Sequence, residues 1–503
     1  MIKPLLSKTQ YIKAKGCRLN LYNYLNRKEA LTPLNAEARY NIFAGQKFEE
    51  IARTIFNKKG EMVNCAPWEI TQGLERTKKL MDEGVDVIYE ATVMNDIGVY
   101  ARIDILGKDN DGAYHIVEVK CSDGPPKEYH LLDVGFQLYV AQTSGLNIKS
   151  TSLAMSKKWY QREEKIDAGK MVELYEVSAQ LTSVIKSISE DIQEIIDFKV
   201  SKTEPEAPIG SHCLKPFQCE SWEFCSKRES VPEASVFNVF RKGKKLDKYL
   251  NAKKYGIGDI DEDESLTKLQ DLVVQAFKTG REYYSFTDLK KFVSQLKYPL
   301  NFVDYETIAP KIPIYPGCKS KEMIPFQFSL HIQHAPGMKD DELTHIEFLS
   351  DGKMDERETF TKQLISSMDN GGSVIVYYKG FEVERNNELA RKFPQYSSGL
   401  DNINSRVVDI FEPFKSKHIY NSKMNGSASL KYVYPAMCPE KEGYSALDIK
   451  NGGDASFMYL DSIINPDFPE HEREKLLSNL RAYCALDTLS MKHILDKILK
   501  IIA

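Results

Sequence analysis

The chain has 503 residues, too many for one ordinary hydrophobic core, so two domains and a connector are expected. Its 42% hydrophobic and 28% charged residues are those of a soluble globular protein, and no stretch approaches the ~18 uninterrupted apolar residues that a membrane span needs. A formal net charge of -4 neither points to nucleic acid nor excludes it, because acidic metal ligands offset the cations of a basic groove.

The opening residues, MIKPLLSKTQYIKAK, lack an apolar core with a small-residue cleavage site, so no secretory signal is expected and the cytoplasm is the default location. In a reducing cytosol the nine cysteines are not expected to pair; clustered ones read as metal or cluster ligands and isolated ones as small buried hydrophobes. Residues 7–60 read as mainly helical, ending near a turn at NKKG. Residues 86–121 read as a β-meander: VDVIYEATV, GVYARIDIL and AYHIVEVK are β-branched and aromatic runs separated by the turns MNDIG and GKDNDGA. A helix follows over 126–145, a strand at LNIKSTSLAMS and another helix over 176–200. Residues 201–235 are rich in Pro, Cys and polar residues and need something other than a hydrophobic core to order them. Residues 236–297 are Lys-rich, acidic at GDIDEDES and helical at the end, which marks a connector. The strand YPLNFVDYE then opens a second domain, followed by strands at HIEFL and SVIVYY and a long helix from about Pro469. No internal repeat or long low-complexity tract is present.

Three constellations carry chemistry. In ARIDIL…HIVEVK, Asp104 ends one strand, and Glu118 and Lys120 lie two apart on the next, on one face of the sheet. Carboxylates there suit Mg2+ or Mn2+, and a nearby lysine orients water or stabilises developing charge. Glu163 and Lys165 also fit E-x-K, but in a charged run with no strand pattern. The second constellation is CLKPFQCESWEFC, in which Cys213, Cys219 and Cys225 are spaced so that one loop wraps a metal centre, with Cys17 the candidate fourth ligand. The third is Asp304 and Glu306 on one face of a strand in NFVDYET, with Tyr483 and Asp487 four apart on a late helix in RAYCALDTL. Tyr255 and Asp259 have the same spacing but lie in the connector and are discounted.

The first constellation resembles the RecB-like branch of the PD-(D/E)xK nucleases. That family carries a metal-binding histidine on a helix before the sheet; the matching stretch here is GQKFEEIARTIF, with Glu49 in the histidine's place as a metal ligand. The family's upstream acid is matched by Glu90, read here as a solvated strand residue. The following helix supplies Gln137 as a contact to the site, while position 141 is Ala rather than Tyr, and Tyr139 is read as core. The resemblance also implies that one cysteine before the nuclease core and three after it, here Cys17, Cys213, Cys219 and Cys225, hold a 4Fe–4S cluster. Zinc is the rival, since four thiolates suit both, although C-x2-C pairs are absent. Cys65, Cys121, Cys318, Cys438 and Cys484 are isolated and read as structural.

The third constellation resembles the DEDD exonucleases, the DnaQ-like branch of the RNase H-like fold, in the subtype that closes on Y-x-x-x-D. The resemblance implies that Asp304, Glu306, Asp487 and a middle acid hold two metals while Tyr483 positions the attacking water. In VIVYYKGFEVE the middle acid is Glu382, after Phe381, with Tyr378 where the family has asparagine; Asp409 is the alternative ligand or a supporting acid. NGSASLKYVYP, with Ser427, Ser429 and Lys431, reads as an ordinary capped helix rather than a phosphate site.

The whole arrangement resembles a bacterial family in which a RecB-like nuclease with a cysteine cluster is fused to a DnaQ-like exonuclease. The expected fold is α/β: a restriction-endonuclease-like PD-(D/E)xK domain over residues 1–228, a helical connector over 229–297 and an RNase H-like exonuclease domain over 298–503. The expected function is metal-dependent phosphodiester hydrolysis, DNA favoured and RNA the alternative, with a second 3′-to-5′ site, in repair, processing or defence. The rival is a nucleic-acid-binding subunit, with one working site or none, in a larger assembly. No helicase motif is present, so any unwinding comes from a partner.

Overall fold

The computed structural model describes residues 5–56, 60–368, 371–444, 447–449 and 451–503. Most of the turn expected at NKKG lies outside the described residues. The chain divides into two units: residues up to Leu34 with Asn41–Ser230 and Lys311–Lys321, and Asn35–Tyr40 with Val231–Pro310 and Glu322–Ala503. The segment read as a connector therefore falls within the second unit, and a short piece beyond it returns to the first.

The first unit holds a seven-stranded mixed sheet. Its strands are β1 (Leu6–Ser7), β2 (Gly60–Met62), β3 (Val87–Met94), β4 (Val99–Lys108), β5 (Tyr114–Asp123), β6 (Ile148–Ser156) and β7 (Val172–Glu176). They lie in the order β2-β3-β4-β5-β6-β7, with β1 on β4. The expected meander is β3, β4 and β5, which run antiparallel; β6 joins β5 in parallel after the helix Glu128–Thr143. That helix is buried at every position from Asp133 to Ala141, as a helix covered on all sides must be. At Gly135 an added Cβ would stand 2.7 Å from Val184 Cγ1, so glycine lets the helix Thr182–Ser201 approach closely. That second helix offers Ile188, Ile192, Ile195 and Ile196, one apolar stripe at helical spacing.

The second unit holds a five-stranded mixed sheet and a separate two-stranded ribbon. Its strands are β8 (Tyr283–Tyr284), β9 (Leu300–Ile308), β10 (Ile324–Gln333), β11 (Thr344–Leu349), β12 (Val374–Val376), β13 (Val407–Asp409) and β14 (Ile419–Tyr420). The large sheet runs β11-β10-β9-β12-β13, with the first three strands antiparallel and the last two added in parallel; β8 and β14 form the ribbon. Strand alternation sends Val303, Tyr305, Phe328 and Leu330 into an apolar core with Phe360 and Leu364 of the helix Arg357–Ser367. The opposite face carries Asp304, Gln327 and Ser329, which contact the long helix Glu470–Ile502 at Cys484, Leu480 and Thr488. Strand β10 is absent from the expected strands although IPFQFSLHIQ alternates apolar and polar residues, and all ten of its residues are buried. Among the described residues no helix is long and apolar enough to cross a membrane.

Phe328 is fully buried, with Phe348 and Phe360 at ring-centroid distances of 6.1 and 5.2 Å. Phe328→Ala is expected to cost about 3–5 kcal/mol, read from the urea unfolding midpoint of the full chain. A loss under about 1 kcal/mol would contradict this packing.

Candidate functional site

Strands β4 and β5 pair only where Ile105–Lys108 faces Tyr114–Val117. Beyond that they part, which leaves a fork with Asp104 on one prong and Glu118 and Lys120 on the other. Asp104 Oδ2 accepts a hydrogen bond from the Val119 N–H at 2.8 Å across the mouth of the fork. The freed edge of β4 is taken by β1, Leu6 opposite Val99 and Ser7 opposite Tyr100, and the helix Lys8–Gly16 starts at the next residue. On the other side of β4 the register places Glu90 opposite Asp104, in a left-handed backbone conformation (φ 57°) that is strained for a residue with a Cβ. Glu49, from the helix Ala36–Arg53, completes a trio: carboxylate oxygens of Glu49, Glu90 and Asp104 lie within 4.8 Å of one another.

Glu118 stands beside this trio in a charge network of its own. Lys120 Nζ donates to Glu118 Oε1 at 2.6 Å and also to Asp133. Lys8 Nζ lies 2.9 Å from Glu118 Oε1 and 2.9 Å from Asp133 Oδ1. Gln137, one turn after Asp133 on the same helix, donates to Glu118 Oε2. Burial, then the charge of Glu118, pushes Asp104 well above the usual carboxylate range. Burial would raise Glu118 too, but Lys120 and Lys8 outweigh it and hold that carboxyl well below its ordinary value. Burial and the neighbouring Glu90 raise Glu49 to about 7, although Arg53 bonds both acids. Arg102 pairs with Glu90 at 2.8 Å.

The cysteine set is looser than the sequence suggests. All nine thiols are free, and among the described residues no group of three or more ligand atoms within 4.8 Å of one another includes a cysteine. Cys17, Cys213, Cys219 and Cys225 are nevertheless neighbours. Burial raises the last three thiols, Cys225 to about 11, and the charges of the others in the set, Cys17 included, add to it.

In the second unit, Asp304 and Glu306 of β9 face Asp487 of the long helix, and the three carboxylates lie within 4.8 Å of one another. They line a cavity of about 410 Å3 together with Glu382, Tyr378 and Tyr483. Burial, reinforced by the mutual repulsion of Asp304, Glu306 and Asp487, pushes Asp304 and Glu306 well above the carboxylate range. Burial raises Asp487 to about 7 despite hydrogen bonds from Tyr444 and Tyr483 and the facing charge of Lys431. Glu382 is raised well above its ordinary value by burial and by Asp304, and its buried Oε2 has no hydrogen-bond partner among the described residues. Asp409 has a different place. Its carboxylate accepts the N–H groups of Tyr378, Lys379 and Phe411 at 3.0, 2.9 and 3.0 Å. It thus clamps the left-handed turn at Tyr378 (φ 83°) that starts the helix Lys379–Lys392 and brings Glu382 to the cavity.

The structure therefore gathers Glu49 with Asp104, Glu118 with Lys120 and Gln137, and Asp304 with Glu306, Asp487 and Tyr483, with Glu382 on the same cavity wall. Sequence reasoning set Glu90 aside and missed Lys8, Asp133 and Tyr444. Two of these had a signal. Counting back through the MNDIG turn pairs residue 90 with 104, and Asp133 precedes Gln137 by one helical turn.

A family model described as "Domain of unknown function (DUF2779)" matches residues 301–429. Among solved structures, "Crystal structure of SSO0001" is 12% identical, covers 39% of this chain and 78% of its own, and has a TM-score of 0.18, a likeness too weak to support an inference. Comparison with curated proteins gives no match.

The raised Asp487 has a stability consequence. Without a cation the folded chain keeps this proton up to about pH 7, whereas the unfolded chain releases it near pH 4. Its contribution is therefore full below about pH 4 and is lost as pH rises through about 7. In EDTA, the melting temperature of Asp487→Asn minus that of the wild type is expected to grow from pH 5 to pH 7.5, since His331, His345 and His493, which titrate in the opposite sense, cancel in the difference. A flat difference would contradict the assignment.

Proposed function

We propose that this protein is a metal-dependent nuclease with two phosphodiester-hydrolysing sites. One observation carries the reading: each unit draws three carboxylates to within 4.8 Å of one another. In the second unit the cations that face the acids among the described residues are Lys431 and Arg385, fewer than the four carboxylates of Asp304, Glu306, Glu382 and Asp487. Such a set is costly unless a cation fills it, and an all-oxygen set suits Mg2+ or Mn2+. The unpartnered Glu382 Oε2 fits a fourth ligand atom. When bound, the metal ions activate water and offset charge on the scissile phosphate.

The chain's own groups do the rest. Lys120, tethered to Glu118 and Asp133, is the cation beside the attacking water at the first site. At the second, the Tyr483 hydroxyl, bonded to Asp487, orients the water. The β4–β5 fork supports a restriction-endonuclease-like unit, and the β11-β10-β9-β12-β13 order supports an RNase H-like one. On the resemblances, DNA is the favoured substrate, RNA the alternative, and the second site works 3′-to-5′.

Labelled single- and double-stranded DNA and RNA, incubated with Mn2+, Mg2+ or EDTA, provide the test. Asp104→Asn and Asp304→Asn are each expected to lower the activity of their own site by about 100-fold or more. Loss of all cleavage from one substitution alone identifies a single-site enzyme. Metal-dependent cleavage that survives both changes undiminished rejects the proposal.

Cys17, Cys213, Cys219 and Cys225 would hold a 4Fe–4S cluster. The RecB-like resemblance favours the cluster, and zinc, which a set of four thiolates also suits, is the rival. Anaerobically purified protein is expected to be brown, with broad absorption near ~400 nm that Cys219→Ser removes. A colourless preparation with stoichiometric zinc would overturn this.

A further inference from the structure

Lys8 has no role in any motif, yet its ammonium sits 2.9 Å from an oxygen of Glu118 and 2.9 Å from one of Asp133. Two features of the fold put it there. The short strand β1 occupies the edge of β4 that β5 vacates, and Ser7 caps the helix Lys8–Gly16, accepting from Gln10 N–H. Lys8 is thus the first helical residue beside the fork. Lys120 holds the same two acids, so two lysines match two carboxylates.

The two lysines differ in what else they face. Lys8 lines a cavity of about 720 Å3 that also exposes Asp104, whereas Lys120 does not. The same wall carries Lys28, Arg102 and Lys199, with the ring of Tyr24 and the largely exposed indole of Trp68. A cavity that combines several cations with aromatic faces and opens on carboxylates suits a nucleic-acid strand, whose phosphates need cations and whose bases stack on rings. Lys8, with a quarter of its side chain exposed, is the cation of this wall that reaches the acids of the fork.

We propose that Lys8 binds the phosphate backbone of the substrate at the first site, anchored by Glu118 and Asp133 and presented to the cavity. The inference rests on the nuclease reading of that unit. It assigns the two lysines separate tasks: Lys120 serves the reacting water, and Lys8 holds the strand.

The test uses the full chain with a fluorescein-labelled single-stranded oligodeoxynucleotide in Ca2+, titrated between about 50 and 200 mM salt. Lys8→Met is expected to weaken binding and to lower the slope of log K against log salt by about 0.7, the signature of one lost phosphate contact. Lys8→Arg is expected to keep the wild-type slope. Lys8→Gln, which keeps a hydrogen-bond donor at this position without the charge, keeps the test alive should Lys8→Met fail to fold, and it too is expected to lose the increment of slope. Wild-type slopes in Lys8→Met or Lys8→Gln overturn the inference even when the wild type cleaves DNA. A wild type that cleaves nothing in Mn2+ or Mg2+ rejects the nuclease reading instead, and a slope change still reports the contact at Lys8.

Discussion

Asp304, Glu306 and Asp487 hold oxygens within 4.8 Å of one another where little water reaches them. Like charges at that separation repel strongly once the surroundings are no longer aqueous, and the chain answers in the way open to it without a metal: it keeps protons on carboxyls that would ordinarily be ionised. Nothing in the packing of the sheet demands such a group. The opposite face of β9 sends Val303 and Tyr305 into an apolar core. The acids are carried on a strand and a helix, which hold them together against their repulsion, as the cation of the proposed function would require.

The first unit meets the same difficulty differently. Glu118 is answered by two lysines and stays ionised, while Asp104 and Glu49, with less help, are raised. Neighbouring carboxyls are thereby driven apart in acidity within one site, the usual preparation for giving acids different jobs. Asp409 is a third solution. Three backbone N–H groups satisfy it, and its charge goes into holding a strained turn.

What the sequence disclosed follows from periodicity. E-x-K and D-x-E are visible because a strand repeats every two residues, and Y-x-x-x-D because a helix brings residues four apart onto one face. In the structure those residues do lie together: Lys120 against Glu118, Asp304 beside Glu306, and Tyr483 beside Asp487. Residues brought in from afar leave no such trace: Lys8 lies 110 positions from Glu118, and Tyr444 reaches Asp487 from a loop. Strand β10 was legible, since Phe326, Phe328, Leu330 and Ile332 alternate with Gln327, Ser329, His331 and Gln333. What that alternation does not disclose is that the long helix covers the polar face and supplies partners to three of its residues, Leu480 O for Gln327 and Thr488 for Ser329 and His331.

The placement of β1 bears on how the chain comes to be folded as it leaves the ribosome. Leu6 and Ser7 are made early, yet their partners, Val99 and Tyr100, are made more than ninety residues later. Among the described residues, four α-helices and a strand pair lie between this segment and its slot. Until then Leu6, fully buried in the finished protein, lacks the strand it pairs with.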